Sequence, residues 1–113
     1  MPNSFKKCFV HRVIDGDTII VSIPDALPIL GHRIPVRLYG IQAPELSRVV
    51  SKRTPEAIRA KNFTERFCRK SGFVKLSGVQ RGKYYRLIAR VSVDGVDLAT
   101  ELVKNGLAVQ RKF

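Results

Sequence analysis

Three short stretches of the chain supply carboxylates and arginines, the residue types that a metal-assisted attack on a phosphodiester requires. They are DGDT at residues 15–18, RLYGIQAPE at residues 37–45 and KYYR at residues 83–86. Acids are scarce, with nine Asp and Glu against 21 Lys and Arg, yet Asp15, Asp17 and Glu45 all lie in these stretches. A basic protein that keeps acids near arginines is suited to holding a cation against a polyanion.

Each of these residue types has a chemical use in phosphodiester hydrolysis, where negative oxygens repel the nucleophile and have to be neutralised. Asp17 is a suitable ligand for a hard cation such as Ca²⁺, and Asp15 is a second ligand or a group that orients a bound water. Arg37 and Arg86 present planar guanidinium donors that match phosphate oxygens. Glu45 is a candidate to accept a proton from the attacking water.

Taken singly, each stretch also has an ordinary structural interpretation. DGD between two strands is more often only a turn, an arginine on a strand is usually solvated, and APE is a common way to begin a loop. The joint occurrence of the three stretches favours the functional interpretation.

Length and charge limit the classes of protein that this chain represents. Its 113 residues are enough for one domain, which we expect to span residues 1–113. A net charge of +12 and a pI of about 10.4 favour anionic partners, nucleic acid first and anionic lipid second. No stretch approaches the ~18 apolar residues of a membrane span, so we expect no membrane partner. We also expect the protein to be a monomer.

The first residues run directly into a strand-like segment without an apolar h-region, so no signal peptide is visible. We expect a cytoplasmic location if the chain is the full product, and a secreted or periplasmic one if a leader was removed. Cys8 and Cys68 lack metal-ligand spacing and are interpreted as partly buried thiols, with a single bridge left open for an exported protein. His11 and His32 are interpreted as structural or surface residues.

Alternating apolar residues and turn signals predict about five strands, over residues 8–14, 18–23, 32–39, 73–78 and 85–93, with a short apolar piece at 107–109. Residues 24–31, with two prolines and a glycine, are predicted to form a loop. Pro35 indicates an edge strand or a bulge.

Two helices are predicted between and after these strands. The first begins at Pro55 with Thr54 as its N-cap, extends for about four turns and ends at Gly72. The second is short, with Asp97 as its cap and Gly106 as its stop. The expected fold is mainly β with helices (α+β), a small, partly open five-stranded barrel of the oligonucleotide-binding (OB) type with an inserted helix.

The order of motifs resembles the staphylococcal nuclease (thermonuclease) family: DGDT, RLYGIQAPE, a PEA helix start, KYYR with LIARV, a DG turn and LATELVKNGLA. The resemblance runs from about residue 9 to residue 109. It implies the same OB barrel with helices, and Ca²⁺-dependent hydrolysis of DNA and RNA that leaves 3′-phosphate ends with little sequence specificity.

The resemblance also implies roles for particular residues. Asp17 matches the first calcium-binding aspartate, and Ala43 stands where the family offers a main-chain carbonyl to the metal. Arg37 and Arg86 match the arginines that grip the scissile phosphate. Glu45 matches the residue assigned as general base.

Other positions bear on the nucleotide and on the metal. Lys83 and Tyr84 match residues that contact the terminal phosphate of a nucleotide, and Tyr85 stands where glycine is usual. Gln42 replaces a second calcium-binding aspartate; its amide oxygen remains a possible ligand but brings no charge, which implies a weaker Ca²⁺ site. The chain also stops at Phe113, near where the family adds a further tyrosine and a C-terminal helix.

Two further interpretations stay open beside that of a nuclease. A nucleic-acid-binding module that kept the barrel and lost catalysis is favoured by Gln42 and disfavoured by the joint presence of the other charged site residues. A protein-interaction module with a merely solubilising charge is the third.

Overall fold

Short strands and two helices make up the computed structural model, which describes residues 4–24, 32–83 and 86–111. The strands are β1 (Phe5–Asp15), β2 (Thr18–Ser22), β3 (Ile34–Leu38), β4 (Ile41–Gln42), β5 (Phe73–Arg81), β6 (Leu87–Val93), β7 (Val96–Asp97) and β8 (Val109–Gln110). The helices are α1 (Pro55–Arg69) and α2 (Leu98–Lys104), and a 3₁₀ turn at Val50–Lys52 precedes α1.

Five of the strands form a closed barrel. Hydrogen-bonded neighbours follow the order β3-β2-β1-β5-β6, and a parallel pairing of β3 with β6 closes the ring. The expected α+β fold with an OB barrel is therefore confirmed. The barrel is closed rather than partly open, although the closing seam is short and runs only from Val36 opposite Leu87 to Leu38 opposite Ala89.

The hairpin of β1 and β2 carries the DGDT stretch at its tip. Asp15 pairs with Thr18 across the hairpin, so Gly16 and Asp17 form the turn that the sequence predicted. From there β2 pairs with β3, with Thr18 opposite Arg37. The turn and the RLYGIQAPE stretch are thus neighbours at one end of the barrel.

Pro35 does not mark an edge strand, since β3 has hydrogen-bonded neighbours on both sides. It pairs with Ile20 in β2, whereas the pairing with β6 begins only at Val36. A residue without an N–H is tolerated there because the second ladder starts after it. Of the loop predicted over residues 24–31, all but Pro24 lies outside the described residues.

Strand β5 is longer than the sequence predicted, extending to Arg81 instead of ending at residue 78. Gly78 lies in a left-handed conformation (φ 60°) within a register shift between Ser77 and Gln80. A bulge of this kind absorbs one residue and lets the ladder continue.

Helix α1 begins as predicted, because Thr54 Oγ1 accepts a hydrogen bond from the Ala57 N–H at 3.2 Å and Pro55 occupies the first helical position. It ends at Arg69, before Gly72 with φ 75°. Phe63 on this helix is only half-buried, and the buried residues are Ala57, Ala60, Thr64, Phe67 and Cys68.

The second helix also follows its sequence signals. Asp97 Oδ2 accepts from the Thr100 N–H at 3.0 Å and caps α2, which buries Leu98, Ala99 and Leu102. The apolar piece after it becomes β8, and β8 pairs with β4. Cys8 and Cys68 are buried thiols, more deeply buried than expected. Neither helix in the described part of the chain has the length and apolar character needed to cross a bilayer.

Candidate functional site

The tip of the β1–β2 hairpin is held against helix α1. Thr64 Oγ1, fully buried on the helix, donates a 2.7 Å hydrogen bond to the Gly16 carbonyl. A Cβ at Gly16 would lie 2.7 Å from Ala60 Cβ and 3.1 Å from Ala43 Cβ. Glycine is therefore required for the turn to approach the helix so closely. Sequence analysis missed Thr64; its spacing of four residues from Ala60 was the available signal.

Asp17 is the most highly connected residue of the site. It is only 3% exposed. Its Oδ1 accepts a hydrogen bond from Thr18 Oγ1 at 3.1 Å, and its Oδ2 accepts one from the Ala43 N–H at 3.0 Å. Arg37 Nη2 lies 3.7 Å from Oδ2 and 3.5 Å from the Ile41 carbonyl. Asp17, Arg37 and Ala43, predicted as site residues, therefore meet at one carboxylate.

Asp15 lies on the other side of the same turn and is also buried, with 8% exposure. Its Oδ1 has no hydrogen-bond partner among the described residues. Burial, followed by the neighbouring Asp17 carboxyl, raises the pKa of Asp15 to about 7. A buried oxygen without a donor, beside a second carboxylate, is what a site for a hard cation presents before the cation binds.

The other candidate metal ligands add no further carboxylate to Asp15 and Asp17. Within the described ranges, no group of three or more His, Cys, Asp and Glu side chains is gathered in one place. The donors are the Asp15 and Asp17 carboxylates, the Ala43 main-chain carbonyl and the amide oxygen of Gln42. Oxygen atoms are the ligand type that calcium prefers, but the total negative charge of this set is low.

The Gln42 side chain is engaged by a cation of the chain itself. Its Oε1 accepts a hydrogen bond from Arg111 Nη1. Strand β8 brings this arginine into place, since Gln42 pairs with Val109 and the Arg111 N–H donates to the Gly40 carbonyl at 2.8 Å. Sequence analysis missed Arg111, because no local pattern links positions so far apart in the chain.

Arg86 directly precedes β6, the strand that forms the closing seam of the barrel. Ile88 pairs with Arg37 across that seam, so the alternation of side chains along a strand would put Arg86, two residues before Ile88, on the side of Arg37. Its buried Nε has no hydrogen-bond partner within the described residues. The Gly82 N–H donates to the Arg86 carbonyl at 2.7 Å, and a Cβ at Gly82 would lie only 2.9 Å from that oxygen. The loop therefore fixes the position of the Arg86 main chain, from which its side chain extends.

The other predicted site residues are less constrained. Glu45 is exposed in the loop after β4, and its role as proton acceptor stays a prediction. Lys83 is exposed, and its carbonyl accepts from the Arg86 N–H at 3.2 Å. Tyr84 and Tyr85 lie outside the described residues.

A sequence model of one protein family covers most of this architecture. The family is described as staphylococcal nuclease homologue, and its model matches residues 35–113, more than half of the chain. The match includes RLYGIQAPE and KYYR, and it begins after the DGDT turn. No curated protein matches the chain. With the OB barrel and the Asp17–Arg37 site already in place, this match shows that the chain belongs to the staphylococcal nuclease homologue family.

Proposed function

We propose that this protein is a metal-dependent nuclease that hydrolyses phosphodiester bonds of DNA or RNA with little sequence specificity. Membership of the family makes it a nuclease-type or nucleic-acid-binding module. The observation that carries the more specific proposal is the buried Asp17 carboxylate, held 3.7 Å from Arg37 and beside the unpartnered Asp15 oxygen. A module that only bound phosphates would not benefit from two buried carboxylates at the same place, because they repel the ligand.

The arginines act on the phosphate. Arg37 is oriented by the Asp17 carboxylate and the Ile41 carbonyl, so its planar fork is fixed before substrate arrives. Arg86, which directly precedes β6, contributes a second guanidinium in this proposal, and its buried Nε–H is a donor for a phosphate oxygen. Donors fixed in a partly buried site stabilise the charge of the transition state more than solvated donors do.

Glu45 takes the proton of the attacking water in this mechanism. A carboxylate is a competent general base when it lies within hydrogen-bond reach of that water. Glu45 lies exposed in the loop that follows β4, directly after Pro44. Lys83 and Tyr84 bind the terminal phosphate of the nucleic acid in the same proposal.

Asp15, Asp17, Gln42 and Ala43 are the residues that would hold Ca²⁺. The bound ion would supply positive charge close to the phosphate and to the attacking water. Asp17 is oriented for this role by the Thr18 hydroxyl and the Ala43 N–H, which fix its carboxylate in one rotamer. Gln42 contributes a neutral oxygen, and this oxygen also accepts a hydrogen bond from Arg111.

A nucleic-acid-binding module with weak or no catalysis is the second candidate, and the Gln42–Arg111 hydrogen bond favours it. A guanidinium beside the metal ligands opposes the binding of a divalent cation at short range. The basic surface and the arginines would remain functional in such a module.

A plasmid-nicking assay with Ca²⁺ and with a chelator separates the two candidates. We expect nicking and linearisation with Ca²⁺ and none with the chelator. Arg86→Gln and Glu45→Gln should each abolish most of the cleavage. The Glu45→Gln variant should still bind single-stranded DNA. Binding without any cleavage across a wide range of Ca²⁺ concentrations would assign the protein to the binding class instead.

A further inference from the structure

Four aromatic rings form a continuous row on the outside of the barrel, away from the candidate site. Phe73 and Phe9 have ring centroids 6.0 Å apart, Phe9 and His11 4.9 Å, and His11 and His32 5.9 Å. All three contacts are edge-to-face, with interplanar angles of 68°, 73° and 81° respectively. We call these four residues the ring row.

The barrel itself aligns the row across its strands. Phe9 of β1 pairs with Phe73 of β5 on one side and with Ser22 of β2 on the other. Ser22 Oγ lies 2.6 Å from His11 Nε2 and 3.3 Å from His32 Nδ1, and it accepts from the Arg33 N–H at 3.1 Å. One serine hydroxyl therefore positions both histidines at the end of the row.

The rings remain accessible although they touch one another. Phe9 is 44% exposed and Phe73 is 38% exposed, which is unusual for two phenylalanines on a well-packed barrel. Packing of the core does not explain them, since neither belongs to the core or to the partly buried residues that pack against it. An exposed aromatic cluster of this kind indicates an interaction surface.

Cations flank the ring row at both ends. Lys7 Nζ lies 4.6 Å above the centroid of the Phe73 ring. At the other end the Arg33 N–H donates to Ser22 Oγ, and partial burial, followed by the charges of Arg33 and His32, lowers the pKa of His11. The lowered pKa favours the neutral form of the His11 ring, so the row presents aromatic rings with Lys7 at one end and Arg33 at the other.

We propose that the ring row binds single-stranded nucleic acid, with unpaired bases stacked on Phe9, Phe73 and His11 and phosphates paired with Lys7 and Arg33. Aromatic side chains interleaved with cations are the pattern by which single strands are bound without sequence preference. The side chains that form the row include no carboxylate, and the chain carries a net charge of +12, so the surface is complementary to a polyanion.

This inference rests on the proposed function and extends it, because it adds a second contact surface for the nucleic acid outside the candidate site. Strand β2 joins the two places, with Thr18 beside Asp17 and Ser22 at the ring row. Four residues of strand span about 13 Å, a distance that a short stretch of single strand covers easily. A nucleic-acid strand bound at the ring row would stay bound while its neighbouring phosphates reach Arg37.

The absence of tryptophan from the chain permits a direct test. Phe9→Trp places one reporter in the row, and Ile58→Trp places a matched reporter at a similarly exposed position on α1. Both proteins are titrated with a single-stranded oligonucleotide and with a blunt duplex of the same sequence, in chelator so that nothing is cleaved. We expect the single strand to quench Trp fluorescence strongly in Phe9→Trp and weakly in Ile58→Trp, with little quenching by the duplex.

Binding measured by fluorescence anisotropy completes the test. Phe9→Leu and Phe73→Leu keep apolar bulk without a ring and should each weaken single-strand binding about tenfold, with Ile58→Ala as the unaffected control. Lys7→Gln should make the dependence of affinity on salt less steep by about one phosphate contact. Circular dichroism verifies that each variant is folded.

Three results would overturn the proposal. They are unchanged single-strand affinity in the leucine variants, an equal loss of affinity for the duplex, and self-association that Phe9→Leu abolishes while affinity for nucleic acid is unaltered. The last would assign the row to contact with a second copy of the chain. Failure of the plasmid assay is a separate outcome, since row-dependent binding in chelator requires no catalysis.

Discussion

The Asp17 carboxylate is restrained by groups from three segments of the chain, the Thr18 hydroxyl, the Ala43 N–H and the Arg37 guanidinium. A carboxylate with so many donors is held in one orientation, and the ordering does not have to occur when a ligand binds. By contrast, Asp15 has an oxygen without a donor among the described residues. One acid is thus fixed by the protein, and in the proposed mechanism the other binds the cation.

Gln42 is the position at which charge limits metal binding in the proposed mechanism. Gln42→Asp should tighten Ca²⁺ binding at least about tenfold and raise nuclease activity, because a unit charge about 4 Å from a cation contributes several kcal/mol near a protein surface. Calorimetric titration of Ca²⁺ and cleavage of single-stranded DNA measure the two effects. Without metal, the added carboxylate should lower stability, since it repels Asp17.

Arg111 provides the matched control for that substitution. An aspartate at position 42 would still face the Arg111 guanidinium, so Gln42→Asp with Arg111→Gln should bind Ca²⁺ more tightly than Gln42→Asp alone. Arg111→Gln by itself should give a smaller gain of the same sign. Equal Ca²⁺ affinity in all four proteins would show that neither residue limits metal binding, and cleavage by wild type without any divalent metal would contradict the mechanism.

Arg86→Lys tests whether the shape of the guanidinium matters rather than its charge. A lysine keeps the positive charge and loses the planar fork, so kcat should fall roughly 100-fold while single-strand affinity changes little. Arg90→Lys, at an exposed position in β6 four residues further along the chain, is the matched control. Equal kcat for the two variants would remove Arg86 from the proposed mechanism.

Among the elements, α1 does more than cover the barrel, because its Thr64 hydroxyl holds the turn that carries both aspartates. Thr64→Val preserves shape but leaves the Gly16 carbonyl without its donor, so the free energy of unfolding should fall by about 1–3 kcal/mol. Ca²⁺ affinity should fall as well, since the turn is no longer held in place. Chemical denaturation and calorimetry measure both.

Thr64→Ser is the control for that prediction, because it keeps the hydroxyl and removes a methyl group. It should lower stability by about 1 kcal/mol through lost packing and leave Ca²⁺ affinity close to wild type. If the serine and valine variants lost Ca²⁺ affinity equally, packing rather than the hydrogen bond would position the turn.

Helix α1 also buries Cys68, and burial raises the pKa of this thiol to about 12 from its ordinary value of 9.0. About a thousandfold less thiolate is present than in an ordinary cysteine, so iodoacetamide should alkylate Cys68 very slowly in the folded protein at pH 8 and rapidly after unfolding. Because the folded state keeps the proton and the unfolded chain releases it, this thiol should lower stability as pH rises from 9 towards 12. Mass-spectrometric peptide mapping distinguishes Cys68 from Cys8; fast native alkylation of Cys68 would contradict its burial.

Elements whose signals are local were predictable from the sequence. The Thr54 and Asp97 caps, the DGDT turn and the alternation of β6 each depend on neighbouring residues, and each is confirmed. The bulge at Gly78 was not predictable, because a glycine in a bulge and a glycine that ends a strand look the same without the partner strand. The environment of Pro35 was not predictable either, because whether a second ladder reaches that residue depends on where the barrel closes.

At the scale of the whole molecule, the contacts that sequence analysis missed join distant segments. Arg111 meets Gln42 only because β8 pairs with β4, and Phe73 meets Phe9 only because β5 pairs with β1. Neither pair has a periodicity or a spacing that a single sequence displays. The Asp17–Arg37 contact was expected from the opposite charges of the two residues and from the family resemblance. Its distance and orientation follow only from the folded barrel.

The net charge of +12 is a property of the whole chain, and it predicts how binding responds to salt. If the charge serves to bind nucleic acid, each phosphate that is neutralised releases counterions, and the logarithm of affinity should fall linearly with the logarithm of salt, by about 0.7 per phosphate on a single strand. Fluorescence anisotropy in chelator, from about 50 to 200 mM salt, measures the slope, which we expect to correspond to several phosphates because the site and the ring row both carry cations. Lys7→Gln should reduce it, and Lys104→Gln, remote in sequence from both surfaces, should leave it nearly unchanged. A slope near zero would mean that the charge only maintains solubility, and it would favour a protein-interaction module over both nucleic-acid functions.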